Sequence, residues 1–95
     1  MRRAARVDEN QAEIVAALRA AGASVQVLSA VGQGCPDLLV GFGGENLLFE
    51  VKNKSLPPSR RRLTPDEAAW HASWEGVVVV VETVAEAVGV LGFSL

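Results

Sequence analysis

The sequence predicts a single α/β domain in which a central mixed sheet is flanked by helices. Apolar residues recur at helical spacing near the N-terminus, and three short apolar runs bounded by glycine and polar residues follow them. Two later segments begin with a helix-capping pattern, one on each side of five consecutive valines. The chain has 95 residues, of which 49% are hydrophobic and 21% charged, so it has room for one core and is too apolar for a disordered tail.

The first half of the chain is predicted to form one helix and three strands. Asp8 and Gln11 have the spacing of a capping box that begins a helix over residues 9–21, and Gly22 ends this helix. The strands are expected over residues 24–28, 37–42 and 46–53. Because only the Gly43-Gly44 turn separates the second strand from the third, we expect these two strands to pair antiparallel.

The second half of the chain completes the predicted order α-β-β-β-α-β-α. Thr64 with Glu67 and Thr83 with Glu86 have capping-box spacing, so each pair begins a helix. The five valines predict a fully buried central strand, because they show no alternation of polar and apolar residues. The predicted elements are an extended polar loop over residues 54–63, a helix from 64 to about 74, a strand over 77–81 and a helix from 83 to about 91.

Composition excludes several classes of protein. The single cysteine, Cys35, excludes a disulfide framework within the chain and a zinc site built from several cysteines. No apolar run approaches the roughly 20 residues that span a bilayer, and no apolar segment follows the N-terminal arginines as in a secretion signal. We therefore expect a soluble cytoplasmic protein that forms one domain over residues 1–95.

The basic residues are concentrated in two segments, although the net charge is −2. Residues 51–65 contain five basic residues and no acidic one. Three more arginines lie in residues 1–7, which we expect to be a flexible basic N-terminus. The rest of the chain contains Arg19 and all eleven acidic residues. Because local patches rather than net charge attract phosphates, the pattern favours a nucleic-acid partner.

Charged residues interrupt the predicted third strand. Glu50 and Lys52 are two positions apart and therefore share one face of the sheet, and Asp37 begins the neighbouring strand. An exposed ion pair, worth about 0–1 kcal/mol, is one explanation. The other is a metal site, because a divalent cation relieves the repulsion between two converging carboxylates. Hard oxygen ligands select Mg²⁺ or Mn²⁺.

The same residues carry a resemblance to a nuclease family. The segment over residues 32–37 (Gly-Gln-Gly-Cys-Pro-Asp) is followed thirteen residues later by Glu50-Val51-Lys52. This arrangement resembles the PD-(D/E)XK nuclease signature, and in detail the VRR-NUC and Holliday-junction-resolvase-like branch of that superfamily. The resemblance covers most of the chain. It implies a restriction-endonuclease-like fold, Mg²⁺ or Mn²⁺ as cofactor, and a homodimer that cleaves branched or structured DNA such as a Holliday junction or a flap.

The resemblance also implies roles for individual residues. Asp37 and Glu50 would be metal ligands, together with the backbone carbonyl of Val51, and Lys52 would be the catalytic lysine. Glu13 matches a helix-1 glutamate that lies near the site in this family, and Glu9 is the competing choice. The residues expected to contact DNA are Gly32, Gln33, Gly34, Lys54, Arg60, Arg61 and Arg62.

The remaining candidates have simpler explanations. We expect His71 to be a packing or surface residue, and Glu67 to act only as a helix cap. Trp70 and Trp74 are expected to form a core stripe, although an exposed tryptophan can also stack on an unpaired base. The chain has no Val-Arg-Arg string, and it has Glu67 and His71 in the helix where many relatives of this type have a glutamine.

Two other functions remain open at this stage. One is a catalytically inactive nucleic-acid-binding or assembly module with the same fold. The other is a structural α/β domain without a nucleic-acid partner, in which the basic segment is a solvated loop.

Overall fold

The structure, a computed structural model, describes residues 10–92. Within this range the chain is an α/β domain with one four-stranded mixed sheet, which confirms the predicted fold class at this level. The elements are α1 (Gln11–Ala20), β1 (Ser24–Val27), β2 (Leu38–Phe42), β3 (Glu45–Val51), α2 (Pro58–Arg61), α3 (Pro65–Ser73), β4 (Val78–Val81) and α4 (Val84–Gly92). None of the helices in this range is long and apolar enough to cross a membrane.

The strands lie in the order β1-β2-β3-β4. β1 pairs antiparallel with β2 and β2 pairs antiparallel with β3, whereas β3 and β4 are parallel. The predicted Gly43-Gly44 hairpin is confirmed, since both glycines have positive φ angles, of 61° and 84°, and Phe42 pairs with Glu45 across the turn.

One face of the sheet forms the core with α1 and α4. The core contains Ile14 and Leu18 from α1, Phe49 and Val51 from β3, and Leu91 from α4. Side chains alternate along a strand, so Glu50, between Phe49 and Val51, is directed to the opposite face. The fold thereby separates an apolar face from a face that carries charge.

The valine strand is not the fully buried central strand that the sequence predicts. Among the described residues β4 pairs only with β3 and lies at one edge of the sheet. Val81 is in the core, but Val80, which pairs with Glu50, is 48% exposed. A run of identical apolar residues has no periodicity, so the run alone could not distinguish a central strand from an edge strand.

Two local predictions also need correction. The polar loop contains the short helix α2, because Pro58 is tolerated at the first helical position and follows an extended Pro57. The N-cap of α1 is Asn10, whereas the predicted capping residue Asp8 lies outside the described residues, as do residues 1–7. Gln11 is buried, and its side-chain amide donates to Ser29 Oγ over 3.2 Å.

The predicted capping box of α3 is complete, whereas α4 has only the Thr83 half of its predicted box, because the Glu86 carboxylate accepts from the Glu82 amide instead. Thr64 Oγ1 accepts from the Glu67 backbone amide, and the Glu67 carboxylate accepts from the Thr64 backbone amide. At the beginning of α4, Thr83 Oγ1 accepts from the Glu86 amide at 3.0 Å. These local patterns fix where α3 and α4 begin.

Candidate active site

A cavity of about 240 Å³ opens beside the beginning of β2 and the end of β3. It brings together the three residues predicted to be catalytic, namely Asp37, Glu50 and Lys52. The remaining lining residues are Val51, Leu56, Arg60, Thr64 and Glu67. Strand pairing and the beginning of α3 therefore assemble a charged cavity from segments that are up to 30 positions apart in sequence.

Asp37 and Glu50 form a carboxyl pair in which Asp37 is half-buried and Glu50 is buried. Asp37 Oδ2 accepts from the Val51 backbone amide at 2.8 Å, and this bond holds the carboxyl group against β3. Glu50 is only 1% exposed. Burial, the charge of Asp37 and a hydrogen bond between the two carboxyl groups raise the pKa of Glu50 to about 9. Near neutral pH the pair therefore shares a proton.

Glu67 holds Lys52 in the cavity. Lys52 Nζ donates to Glu67 Oε1 at 2.7 Å, and the same oxygen accepts from the Thr64 backbone amide at 2.8 Å. Burial raises the pKa of Glu67, but the hydrogen bonds from Lys52 and Thr64 and the charge of Lys52 outweigh it, so the pKa lies below its usual value. Glu67 is thus both the predicted helix cap and an ion-pair partner of Lys52.

His71 lies beside Glu50. Its Nε2 is 3.2 Å from Glu50 Oε1, within hydrogen-bond distance. The sequence predicts only a packing or surface residue at this position. Glu67 and His71 are four positions apart and therefore share one face of α3, although this spacing does not indicate which surface that face contacts.

Helix α1 does not bring Glu13 to this cavity. Glu13 is exposed and lines a different cavity with Asn10, Ala12, Asn53 and Ser55. The structure therefore does not bring Glu13, the predicted helix-1 acid, to the cavity of Asp37 and Glu50. The competing residue, Glu9, lies outside the described residues.

The beginning of α1 nevertheless contacts the strand that bears the site. The Asn10 side-chain amide donates to the Lys52 carbonyl at 3.0 Å and to the Glu82 carbonyl at 2.8 Å. Gln11 is 4% exposed, and its Oε1 has no hydrogen-bond partner among residues 10–92. The contact of Asn10 with the strand that bears the site was not predicted, since the sequence indicates only a capping turn here.

The glycine loop before Asp37 has a structural role at one position. Gly32, Gln33 and Gly34 have positive φ angles of 79°, 59° and 84°. A Cβ atom at Gly34 would overlap the carbonyl oxygen of Asp66, so this glycine allows the loop to pack against the beginning of α3. Gly32 and Gln33 are exposed and remain accessible to a phosphate backbone.

The predicted DNA-binding residues differ in their environments. Arg60 lines the cavity, and Lys54 and Arg62 are exposed. Arg61 is half-buried, and its guanidinium lies 3.9 Å from a carboxylate oxygen of Glu82. Within the basic segment, Arg60 therefore lies in the same cavity as the carboxyl pair, whereas Arg61 forms an ion pair with Glu82.

The environment of Cys35 favours the protonated thiol over the thiolate. Burial, followed by the charges of Glu50 and Asp37, raises the pKa of Cys35 above its usual value. The side chain therefore stays protonated near neutral pH, as expected for an unreactive cysteine.

The two tryptophans do not form the predicted core stripe. Their rings stack with centroids 4.5 Å apart and an interplanar angle of 20°, but neither belongs to the core. Trp70 is half-buried, and Trp74 is 46% exposed. No residue of α3 is buried, because the helix contacts the sheet through Lys52 and Glu50 at the end of β3 rather than through the core.

The donor set at the cavity suits a hard cation better than zinc. Among residues 10–92 no group of three or more His, Cys, Asp and Glu side chains is arranged to hold a metal ion. Mg²⁺ commonly binds through one or two carboxylates and otherwise keeps water or substrate oxygens. The Asp37–Glu50 pair with the Val51 carbonyl fits this pattern.

The chain matches no protein-family model, and neither the curated proteins nor the solved structures contain a match.

Proposed function

We propose that this protein is a metal-dependent DNA endonuclease that hydrolyses phosphodiester bonds. The observation that carries the proposal is the juxtaposition in one cavity of two carboxyl groups, those of Asp37 and Glu50, with Lys52. Two further features support it. The sequence resembles the PD-(D/E)XK nucleases, and the β2–β3 hairpin followed by α3 and the parallel strand β4 is compatible with a restriction-endonuclease-like fold.

The carboxyl pair would hold Mg²⁺ or Mn²⁺. The raised pKa of Glu50, about 9, reflects burial and a neighbouring carboxylate, and a cation between the two groups would relieve this repulsion. When bound, the ion would make water a better nucleophile and neutralise charge that develops on the phosphate. Asp37 is oriented for this role by the Val51 amide, and His71 restrains the Glu50 side chain.

Lys52 would act on the attacking water and on the phosphate. Its ammonium group is anchored by Glu67, so it is held in the cavity without free rotation. A fixed cation near the reacting phosphate stabilises the transition state more than a mobile one, since little reorganisation is needed. Arg60, which lines the same cavity, would bind a neighbouring phosphate.

The substrate class and assembly follow from the resemblance to junction-resolving nucleases. That resemblance favours branched or structured DNA, such as a Holliday junction or a flap, as the substrate. A homodimer would present two sites to a symmetric junction. A cytoplasmic location belongs to the same proposal.

A cleavage assay tests the proposal directly. The protein is incubated with flap, fork, four-way and linear DNA in the presence of Mg²⁺, Mn²⁺ or EDTA. We expect metal-dependent cleavage of at least one structured substrate, and loss of cleavage in Asp37→Ala and Lys52→Ala. Glu45→Ala, which removes an exposed carboxylate at the beginning of β3, is the matched control and should cleave normally.

Two outcomes would contradict the enzyme proposal. Absence of cleavage with every substrate and metal, combined with DNA binding, would favour the inactive nucleic-acid-binding module. Cleavage by Asp37→Ala at the wild-type rate would show that the activity does not come from this site.

A further inference from the structure

One face of α3 has a composition that its position in the fold does not explain. Glu67, Trp70, His71 and Trp74 follow the spacing i, i+3, i+4, i+7, which normally marks the apolar stripe that packs into a core. Glu67 lines the cavity and His71 contacts Glu50, but no residue of α3 is buried. The two large aromatic side chains therefore need a reason other than core packing.

The indole of Trp74 is exposed and yet held in place. Its ring stacks on that of Trp70, with an interplanar angle of 20°. The backbone of Gly76 passes close to the indole edge, since a Cβ atom there would lie 2.8 Å from Trp74 Nε1. A flat aromatic surface that is 46% exposed and packed from two directions loses little conformational entropy when it binds a ligand.

A series of contacts links the tryptophan pair to Glu50, which lines the cavity. The rings of Trp70 and His71 meet edge to face, with centroids 6.2 Å apart, and His71 Nε2 lies 3.2 Å from Glu50. Trp74, the C-cap residue that follows α3, is seven residues beyond Glu67, which corresponds to about 10 Å of helix axis. This distance is about three steps of stacked DNA at roughly 3.4 Å per nucleotide.

We propose that Trp74, supported by Trp70, is a stacking platform for an unpaired base of the DNA substrate. The inference rests on the proposed nuclease function and narrows its substrate to DNA with a single-stranded arm beside the cleaved bond. Helix α3 contains no lysine or arginine, and Glu75 is exposed next to Trp74, so phosphate binding is disfavoured at this end. The platform would therefore contribute through the base and not through charge.

Binding to the intact chain in EDTA tests the platform without cleavage. The chain contains two tryptophans, and both belong to the stacked pair, so its intrinsic tryptophan fluorescence reports on this surface. The probes are a DNA duplex with a thymidine tail, the same duplex with an abasic tail of equal length, and the blunt duplex. We expect fluorescence quenching only with the thymidine-tailed duplex. This probe should also bind roughly 5- to 150-fold more tightly than the abasic-tailed and blunt duplexes.

Variants separate stacking from charge. Trp74→Ala should bind the thymidine-tailed and abasic-tailed probes equally, while Trp74→Phe should retain part of the preference. Val27→Ala, which truncates a side chain of similar exposure (44%) on β1, should behave as wild type. The salt dependence of binding should be unchanged in Trp74→Ala and reduced in Arg60→Ala, because only the arginine neutralises a phosphate.

Several results would overturn the inference. One is equal binding of the thymidine and abasic tails by the wild type, and another is an undiminished preference in Trp74→Ala. Self-association that disappears in Trp74→Ala would identify the surface as a contact between copies. Stacking without cleavage would contradict only the proposed nuclease function. Cleavage that is indifferent to the single-stranded arm and to Trp74 would contradict only the platform.

Discussion

Replacement of Glu50 by glutamine tests the electrostatics of the candidate site. The native carboxyl group has a pKa of about 9, against an ordinary value of 4.5. At pH values between these two pKa values, Glu50 keeps its proton in the folded chain and releases it in the unfolded chain. The free energy of unfolding therefore decreases as the pH rises. From pH 4.5 to pH 7 this decrease is about 3 kcal/mol, at about 1.4 kcal/mol per pKa unit.

Glutamine has the same length as glutamate and no proton to lose. Its amide can donate to Asp37 as the protonated carboxyl group does. In EDTA we therefore expect Glu50→Gln to be more stable than the wild type by about 3 kcal/mol at pH 7. Near pH 4.5 the two proteins should be almost equally stable. Urea unfolding followed by far-ultraviolet circular dichroism across this pH range measures the difference.

Mg²⁺ adds a second comparison. A ligand that binds only the folded chain raises its stability in proportion to the logarithm of the ligand concentration over Kd. We expect Mg²⁺ to stabilise the wild type at pH 8 and to have little effect on Glu50→Gln. Glu45→Gln, an exposed position on the same strand, is the control. A stability difference that does not vary with pH would refute the proton-sharing pair.

Two other substitutions test how α3 is attached to the site. Gly34→Ala should lower the free energy of unfolding by about 2–5 kcal/mol, because the new Cβ atom combines a positive φ with overlap at Asp66. A Cβ atom at Gly32 meets open space, so Gly32→Ala should lower the free energy of unfolding by only about 1–2 kcal/mol, the cost of the positive φ. Equal losses in chemical denaturation would refute the close packing. Glu67→Gln should lose about 1 kcal/mol at pH 7, since ionised Glu67 accepts from Lys52. The pKa of Glu67 is lowered, so the wild type loses this stabilisation when Glu67 is protonated, and the difference from Glu67→Gln should vanish as the pH falls below the usual glutamate range. A stability difference that persists in acid would contradict the ion-pair explanation.

Features determined by neighbouring residues were predicted correctly. Thr64 accepts a hydrogen bond from a backbone amide three positions away, and this pattern identifies the beginning of α3. Gly43 and Gly44 adopt the positive φ angles that a tight turn requires, and this pattern identifies the hairpin. The alternation along β3 likewise separates Glu50 from the core without knowledge of the fold. The convergence of Asp37 with Glu50 was predictable because one short hairpin brings their strands together.

Features that depend on packing between distant segments were not predictable from the sequence. Glu67 already satisfies a capping pattern, and only the placement of α3 over the charged side of the sheet brings it to Lys52 and brings His71 to Glu50. The same placement leaves Trp74 exposed, although its helical spacing is that of a core residue.

By itself the sequence determined the type of each main element and a pair of carboxylates next to a lysine, because these features depend on local hydrogen bonds and strand alternation. The tertiary structure decided which helix covers the charged side of the sheet, and therefore which side chains surround the pair. It also placed the valine strand at the edge of the sheet. The physical reason is that a helix face or an apolar strand can be buried against more than one surface, and only the packing of the whole chain selects among them.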